Sequence, residues 1–380
     1  MKILVLNSGS SSLKYKLFEM PARKQLIKGH VDGIGLPTCI YIVNDDIRNV
    51  FVENHHKAVE VCLETLKSIC DLSDIQAVGH WVVHGGEYFT KAAFIDEYTI
   101  GKIEELKDLA PLHNPPNLEG IYACKKLLPN VKQVAVFDTA FHHTIPKKAF
   151  LYGIPYEYYE KYKIRKYGFH GTSHKYVANR ANEILKKNLR SITCHLGNGA
   201  SITAVKDIKS MDTTMGFTPL QGLMMGTRSG DIDAEIVAFL MEKTHADARK
   251  VIWNLNHISG LKGICGYSDV RTIHEKAMNG DEMARLALDM FVYRIVHYIG
   301  AYDAILEGAD AIVFTAGIGE NADFIREVVC EKLKFIGVEI DKGKNKRHET
   351  IISTSKSDIK VMVIPTNEEE QIAYECMEFV

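Results

Sequence analysis

Residues 1–20, MKILVLNSGSSSLKYKLFEM, set four apolar residues, Ile3 to Leu6, ahead of Asn7-Ser8-Gly9-Ser10-Ser11-Ser12, after which Leu13, Tyr15 and Leu17 alternate with Lys14 and Lys16. The apolar run predicts a buried strand and the alternation a second, half-buried one, so the small residues between them form a hairpin turn. Gly and Ser are ordinary turn residues, and a solvated turn accounts for them. The same composition also suits a phosphate cradle, because backbone N–H groups and short hydroxyls can converge on an anion. It is not a Walker loop, which runs through G-x-x-x-x-G-K-[ST] into a helix. A phosphate here would sit on a β-hairpin.

The chain has 380 residues, 46% apolar and 25% charged, enough apolar material for large cores and an expected two domains. Lys plus Arg number 46 against 48 Asp plus Glu, a net charge of −2. Neither nucleic acid nor a membrane surface is indicated as a partner by that balance, so any anion binding falls to local basic clusters. The eight cysteines, Cys39, Cys62, Cys70, Cys124, Cys194, Cys265, Cys330 and Cys376, include no C-x-x-C pair of the kind that holds zinc. Free thiols in a reducing cytoplasm are expected. The opening apolar run is too short for a signal-peptide core, and no stretch approaches the roughly 18 apolar residues that span a bilayer.

Apolar runs at 3–6, 133–137, 192–195, 311–315 and 360–364 predict buried strands. Between them, helical periodicity covers 55–72, with Val59, Cys62, Leu63, Leu66, Ile69 and Cys70 on one face, and also 173–187 and 281–306. Alternating strand and helix predicts an α/β protein. The stretch SITCHLGNGASITAVKD (191–207) repeats the plan of the opening: apolar strand, Gly-containing turn at Gly197-Asn198-Gly199, then alternation through Ile202 and Ala204. Gly9 and Gly197 lie about half the chain apart, which predicts two related halves, each presenting a phosphate hairpin toward a shared cleft. A third Gly turn is expected in IVFTAGIGENA (312–322). Three such turns at the ends of buried strands mark a ligand site, since ligands of α/β folds gather at strand carboxyl ends.

A polar residue that ends an apolar strand faces such a cleft. Asp138 in VAVFDTAFHH and Glu368 in VMVIPTNEEEQ are so placed, and two carboxylates there suit Mg²⁺ in a phosphoryl-transfer site. Asp138 also reads as a turn or helix cap. Glu368 also reads as a first-turn acid of a helix capped by Thr366 or Asn367. YGFHGTSHKYV spaces His170 and His174 as H-x-x-x-H without the Glu of a metalloprotease helix, and Gly171-Thr172 reads as the approach to a helix start, so the two imidazoles are expected to diverge. GTRSGDID puts Arg228 between Gly226 and Gly230, a guanidinium suited to phosphate or carboxylate.

Taken together, LNSGSSSLKY (6–15), VVHGGE (82–87), LAPLHNPPNLEGI (109–121), FDTAFH (137–142), YGFHGTSHKYV, CHLGNGASI, DTTMGFTPLQGLMMGTRSGDID, SGLKGI (259–264), FTAGIGENA and IPTNEE resemble the acetate kinase family, in that family's order and over almost the whole chain. The resemblance implies the duplicated two-domain α/β fold of acetate and sugar kinases, Hsp70 and actin, which is RNase H-like. It implies an N-terminal domain over 1–145 plus 368–380 and a C-terminal domain over 146–367, and a homodimer. The implied reaction is reversible transfer of the ATP γ-phosphoryl group to acetate. Propionate or another short carboxylate is the nearest alternative acceptor, and a nucleotide-binding relative with impaired catalysis is a further alternative.

By the same resemblance, Asn7 and Glu368 serve Mg²⁺, and Ser10, Ser12 and Lys14 complete the first phosphate hairpin. Asp138, His170 and Arg228 are implied as catalytic. His195, Gly197, Asn198 and Gly199 are implied for the nucleotide phosphates, and Asp269, Val270, Arg271, Gly317, Ile318, Gly319 and Asn321 for the adenosine. Val83, Leu112, Phe169 and Pro219 would wall the acceptor's methyl pocket. The sequence departs from the family in two places: Trp81 stands where the pattern ahead of VVHGGE has Arg, and GICGYSDVR (263–271) is one residue shorter than the usual spacing before the Asp. Trp81 would deprive the acceptor pocket of a cation and narrow it.

Overall fold

In the computed structural model, which describes residues 1–111 and 113–380, the chain divides into two compact units, Met1–His143 with Asn367–Val380, and Thr144–Thr366. The first unit is built on strands β1 (Lys2–Ser8), β2 (Ser12–Glu19), β3 (Lys24–Asp32), β4 (Ile40–Val43), β5 (Asp46–Asn49), β6 (Ile75–Val82), β7 (Ala93–Phe94) and β8 (Lys132–Phe137). They lie side by side in the order β5-β4-β3-β2-β1-β6-β8-β7, with β1 antiparallel to β2 and parallel to β6, and β6 parallel to β8.

Both faces of β1 are covered, which is why its apolar run is continuous rather than alternating. Leu4 and Leu6 face the helices His55–Leu66 and Asn114–Leu127, with Leu13, Tyr15, Val59, Cys62 and Cys124 in the same core. Ile3 and Val5 face the helix Glu368–Cys376, with Ala77, Val134, Val136, Ile372 and Cys376. That last helix seats against a glycine: a Cβ on Gly79 would lie 2.6 Å from Ile372 and 2.7 Å from Cys376.

The second unit carries β9 (Ser191–Leu196), β10 (Ala200–Lys206), β11 (Lys209–Thr213), β12 (Ala311–Thr315) and β13 (Lys360–Val363) in the order β11-β10-β9-β12-β13. Here too the first strand pairs antiparallel with the second and parallel with a later one, which pairs parallel with the last. The succession β3-β2-β1-β6-β8 is thus repeated as β11-β10-β9-β12-β13, the duplication that the two Gly hairpins foreshadow. The helix Gly171–Leu185 packs Val177 and Ala181 on Ala311, Val313 and Met362.

One helix is shorter than its periodicity predicts. It stops at Leu66, where the Ser68 hydroxyl donates to the Thr65 carbonyl and Asp71 caps the next turn through the Ser73 amide, leaving Ile69 45% exposed instead of on the buried face. The eight cysteines are free thiols, six of them buried. Among the described residues no helix is long and apolar enough to cross a membrane.

Two histidines of the first unit give the fold a defined acid sensitivity. His80 shares a 2.7 Å hydrogen bond with Gln133 Oε1, and His84 Nδ1 accepts from the Gly86 amide at 3.0 Å; burial lowers each imidazole to about 4. Both are neutral in the fold, while the unfolded chain takes up protons near pH 6.5. The stabilisation is therefore complete above pH 6.5 and is lost as pH falls toward 4, at up to about 1.4 kcal/mol per pH unit for each histidine. Urea unfolding at pH 7 and pH 5 is expected to show a clear fall in stability, and equal midpoints at the two pH values would contradict this account.

Candidate active site

The β1–β2 turn is held from behind. The Ser8 carbonyl accepts from Asn117 Nδ2 at 2.8 Å, the Gly9 carbonyl from His55 Nε2 at 2.7 Å, and the Ser11 carbonyl from the amides of Gly33 and Ile34. Because the peptide group is planar and trans, tying the Gly9 carbonyl inward points the Ser10 N–H outward. Ser10 is exposed, and the Gly9 amide closes the turn on the Ser12 carbonyl at 2.8 Å. Gly120 makes room for the turn, since a Cβ there would stand 2.2 Å from Ser8 Oγ.

On the sheet face covered by the helix Glu368–Cys376, pairing aligns Trp81 with Val136 and Lys14 with Asn7. Side-chain alternation places Asn7, Trp81 and Asp138 on that face at the ends of β1, β6 and β8, where the helix begins with Glu368. Asparagine 367 is its cap, accepting from the Glu370 amide. Asp138 is 2% exposed and donates its amide to the Val82 carbonyl at 2.9 Å. Burial, then the charges of Asp138 and Glu369, push the Glu368 carboxyl up to about 8 against the opposing pull of Lys14 and Lys16. Trp81 is half-buried against the Ile3, Val5 and Cys376 cluster, and its indole N–H is buried without a hydrogen-bond partner.

In the second unit, His170 precedes the helix Gly171–Leu185 in the left-handed region at φ 56°, which turns its ring against His195, 4.1 Å between centroids and nearly parallel. The expected divergence of His170 and His174 is not found: both rings meet one hydroxyl, His170 Nδ1 at 2.9 Å and His174 Nε2 at 2.7 Å from Ser201 Oγ. The left-handed residue outside the helix brings the two together, a geometry that spacing on a regular helix does not anticipate. Thr193 Oγ1 donates to the Thr203 carbonyl, so it accepts from His174 Nδ1; His174 Nε2 then accepts from Ser201, and Ser201 accepts from His170 Nδ1. His195 Nδ1 meets Ser173 Oγ at 2.8 Å, and burial lowers its imidazole to about 4.

Arg228 closes on the same place. A Cβ on Gly199 would lie 3.4 Å from Arg228 Nη1 and 3.6 Å from His170 Nε2, ordinary contact distances that place the three side by side. The guanidinium reaches the Pro219 carbonyl at 3.4 Å and forms no ion pair among the described residues; burial lowers its pKa from the usual arginine range.

Beside this turn lies a cavity of about 500 Å³ walled by Gly197, Asn198, Asp269, Arg271, Gly317 and Asn321, with Ser268, Val270, Ile318 and Ala322 completing it. That size suits a small-molecule ligand. Asp269 caps the helix Val270–Met278 through the Thr272 amide and takes Arg271 Nη2 at 3.3 Å, so the shortened stretch before it still delivers both residues to the wall. The expected third Gly turn is instead a short helix, Ala316–Asn321, because Glu320 Oε1 accepts the Ala316 amide and folds the segment on itself. Gly319 is on the buried side of this helix, where a Cβ would lie 3.4 Å from the Cys194 carbonyl, rather than on the cavity wall.

Val83 and Phe169 are buried, Pro219 is half-buried, and Leu112 lies outside the described residues. Sequence reasoning passed over Ser201, His174 as a partner of His170, and above all Arg326. Arg326 is fully buried and places all its donors on neutral acceptors: the carbonyls of Gly319 and Glu320, Asn345 Oδ1 and carbonyl, and His348 Nδ1. It thereby fixes the Ala316–Asn321 helix from behind. An arginine inside the apolar face of the helix Asp323–Lys332 was the available signal.

The chain matches the model of the Acetokinase family over residues 2–374. It is 55% identical to the acetate kinase of Carboxydothermus hydrogenoformans, over all of this chain and 99% of that one. Among solved structures it resembles Porphyromonas gingivalis acetate kinase (TM-score 0.94, 45% identity, 99% of each chain covered). A propionate kinase from Francisella tularensis is similar to the same degree (TM-score 0.94, 44% identity, 98% of each chain).

Replacing Arg326 with methionine strands at least the Gly319 and Glu320 carbonyls in a buried setting, at about 1–3 kcal/mol each. Arg326→Met is expected to lose at least about 2 kcal/mol of unfolding free energy in a denaturant titration. A loss below about 0.5 kcal/mol would show that those carbonyls find other donors.

Proposed function

Because the chain belongs to the Acetokinase family, we infer that it is an acetate kinase that moves the ATP γ-phosphoryl group reversibly to acetate, giving acetyl phosphate and ADP. The observation that carries this reading is the double use of the Gly197-Asn198-Gly199 turn. Gly197 and Asn198 wall the 500 Å³ cavity, while Gly199 packs against Arg228 and His170. A nucleoside held by Asp269, Val270, Arg271, Gly317, Ile318 and Asn321 would send its phosphates along this turn toward a guanidinium and an imidazole.

A short carboxylic acid is already ionised at pH 7, so the acceptor needs no general base. The difficulty is the meeting of two anions, which fixed positive groups resolve by stabilising the charge on the phosphoryl group in flight. Arg228 supplies a planar fork with no carboxylate competing for it. With Nδ1–H on Ser201, His170 would meet the phosphoryl oxygens through Nε2 as the imidazolium, which carries a proton on both ring nitrogens. In the first unit the outward Ser10 N–H, with Ser12 and Lys14, serves the phosphate chain. Val83, Phe169 and Pro219 are read as walls for the acceptor's methyl group.

Asn7, Asp138 and Glu368 form a hard-oxygen set, and the raised Glu368 carboxyl marks a crowding of negative charge that a divalent cation would relieve. These residues fit Mg²⁺, with Asn7 and Glu368 as its holders and Asp138 beside them. When bound, the ion neutralises phosphate charge and orients the triphosphate. Cytoplasmic location is supported by the eight free thiols, and a homodimer by the family resemblance.

The likeness to a propionate kinase favours a second acceptor, since one methylene changes binding by about 1–3 kcal/mol. Trapping the acyl phosphate as a hydroxamate, with acetate, propionate and butyrate offered alongside ATP, is expected to give product from acetate; no product from any acid would refute the reading. Trp81 is read as lowering acetate turnover while nucleotide binding is retained. A charge-assisted hydrogen bond is worth about 1.5–3 kcal/mol, so Trp81→Arg should raise kcat/KM for acetate at least about tenfold with little change in KM for ATP. An unchanged kcat/KM would show that another group already supplies the charge.

A further inference from the structure

Strand pairing in the first unit puts Lys14 directly opposite His30 and Lys16 directly opposite Lys28, all four on the sheet face that Tyr15, Ile27 and Val31 turn away from. Like charges set opposite each other destabilise an antiparallel pair; Lys16 and Lys28 form such a pair, with Lys14 beside it. The negative charge facing them is small. Glu369 takes Lys16 Nζ at 2.9 Å, and Asn367 Oδ1 lies 3.2 Å from the same nitrogen. Among the described residues Lys28 has only Asp45 as a charged partner, at 3.8 Å, an almost fully exposed carboxylate whose attraction water screens. Lys14 forms no ion pair among the described residues. Nε2 of His30 is buried and has no hydrogen-bond partner, and burial together with the Lys14 charge lowers its imidazole pKa.

These groups line a cavity of about 230 Å³, with Asn44 and Glu369 on its wall. It is less than half the volume of the cavity in the second unit. We propose that this cavity is a second anion site, taking a compact phosphate anion, and that the ligand supplies the negative charge which Lys14 and the opposed Lys16–Lys28 pair lack. Two or three ammonium groups act on phosphate as point charges, without the planar match a carboxylate would call for. The neutral His30 ring and the Asn44 amide add hydrogen bonds. Only Lys14 is shared with the residues assigned above to the nucleotide, so the inference stands apart from the kinase reading.

The test uses the full chain loaded with saturating ADP, so that an anion competing for the nucleotide's phosphate positions is already displaced. Inorganic pyrophosphate is titrated by calorimetry and by thermal unfolding. The unaltered protein is expected to bind it and to gain in Tm. Lys28→Gln and His30→Gln should weaken binding at least tenfold, with KM for ATP within twofold of the unaltered enzyme. Lys28→Gln should also begin with an equal or higher Tm in the absence of anion, because a repulsive pair is gone, and should no longer respond to pyrophosphate. Asn44→Asp, which sets a carboxylate on the wall, should abolish the response. Glycerol 3-phosphate run in parallel distinguishes the source: tighter binding than pyrophosphate identifies the phosphate group of a larger molecule, and weaker binding a free phosphate. No binding by the ADP-loaded protein, or equal binding by the three variants, would overturn the proposal.

Discussion

A carboxylate does not approach a triphosphate unless the charge between them is cancelled beforehand, and cancelling it means holding cations where water would otherwise screen them. Holding a bare cation in a fold is costly, because burial removes its hydration. Arg228 bears that cost: burial lowers its pKa, its nearest acceptor is the Pro219 carbonyl at 3.4 Å, and no carboxylate among the described residues offsets it. Its donors remain for a ligand. This side chain and His170 meet beside Gly199.

Arg326 shows the opposite solution to the same problem. It too is a guanidinium out of water, but every donor meets a neutral oxygen or nitrogen, and the residue holds carbonyls of the Ala316–Asn321 helix in place. Burial alone does not separate a structural cation from a functional one; hydrogen-bond saturation does. The same criterion sets the Ser8, Gly9 and Ser11 carbonyls of the first hairpin apart from its outward Ser10 amide. A phosphate cradle requires acceptors to be occupied inward so that donors face out.

The strands and their carboxyl ends were legible because an apolar run closed by Asp138, or by the hairpin residues after Leu6, has one physical reading. The duplicated sheet was legible through the two Gly hairpins. What local pattern did not carry was any feature decided by a single backbone angle or by distant partners. The left-handed φ of His170 reverses the expected relation to His174, and Ser68 with Asp71 ends a helix that apolar spacing continues to residue 72. Glu320 and Arg326 convert an expected Gly turn into a helix by reaching across four to seven residues. Side-chain capping of main-chain groups is a tertiary choice, and periodicity is silent about it.

Position 81 brings these strands of argument together. Across the covered face of the first sheet, the residues run from Asp138, past Trp81 and Asn7, to Lys14 and His30. Asp138 stands at one end of that row and the basic residues at the other, where Glu369 of the covering helix takes Lys16. The Glu368 carboxyl rises although Lys14 and Lys16 pull it down, so burial and Asp138 prevail over the lysines. A cation at 81 would add positive charge to the face that carries Asp138. Trp81 instead lends its bulk to the apolar cluster and leaves a buried N–H without a partner. An indole N–H can donate one hydrogen bond but carries no charge, so it can orient an acceptor oxygen without offsetting the charge of Asp138.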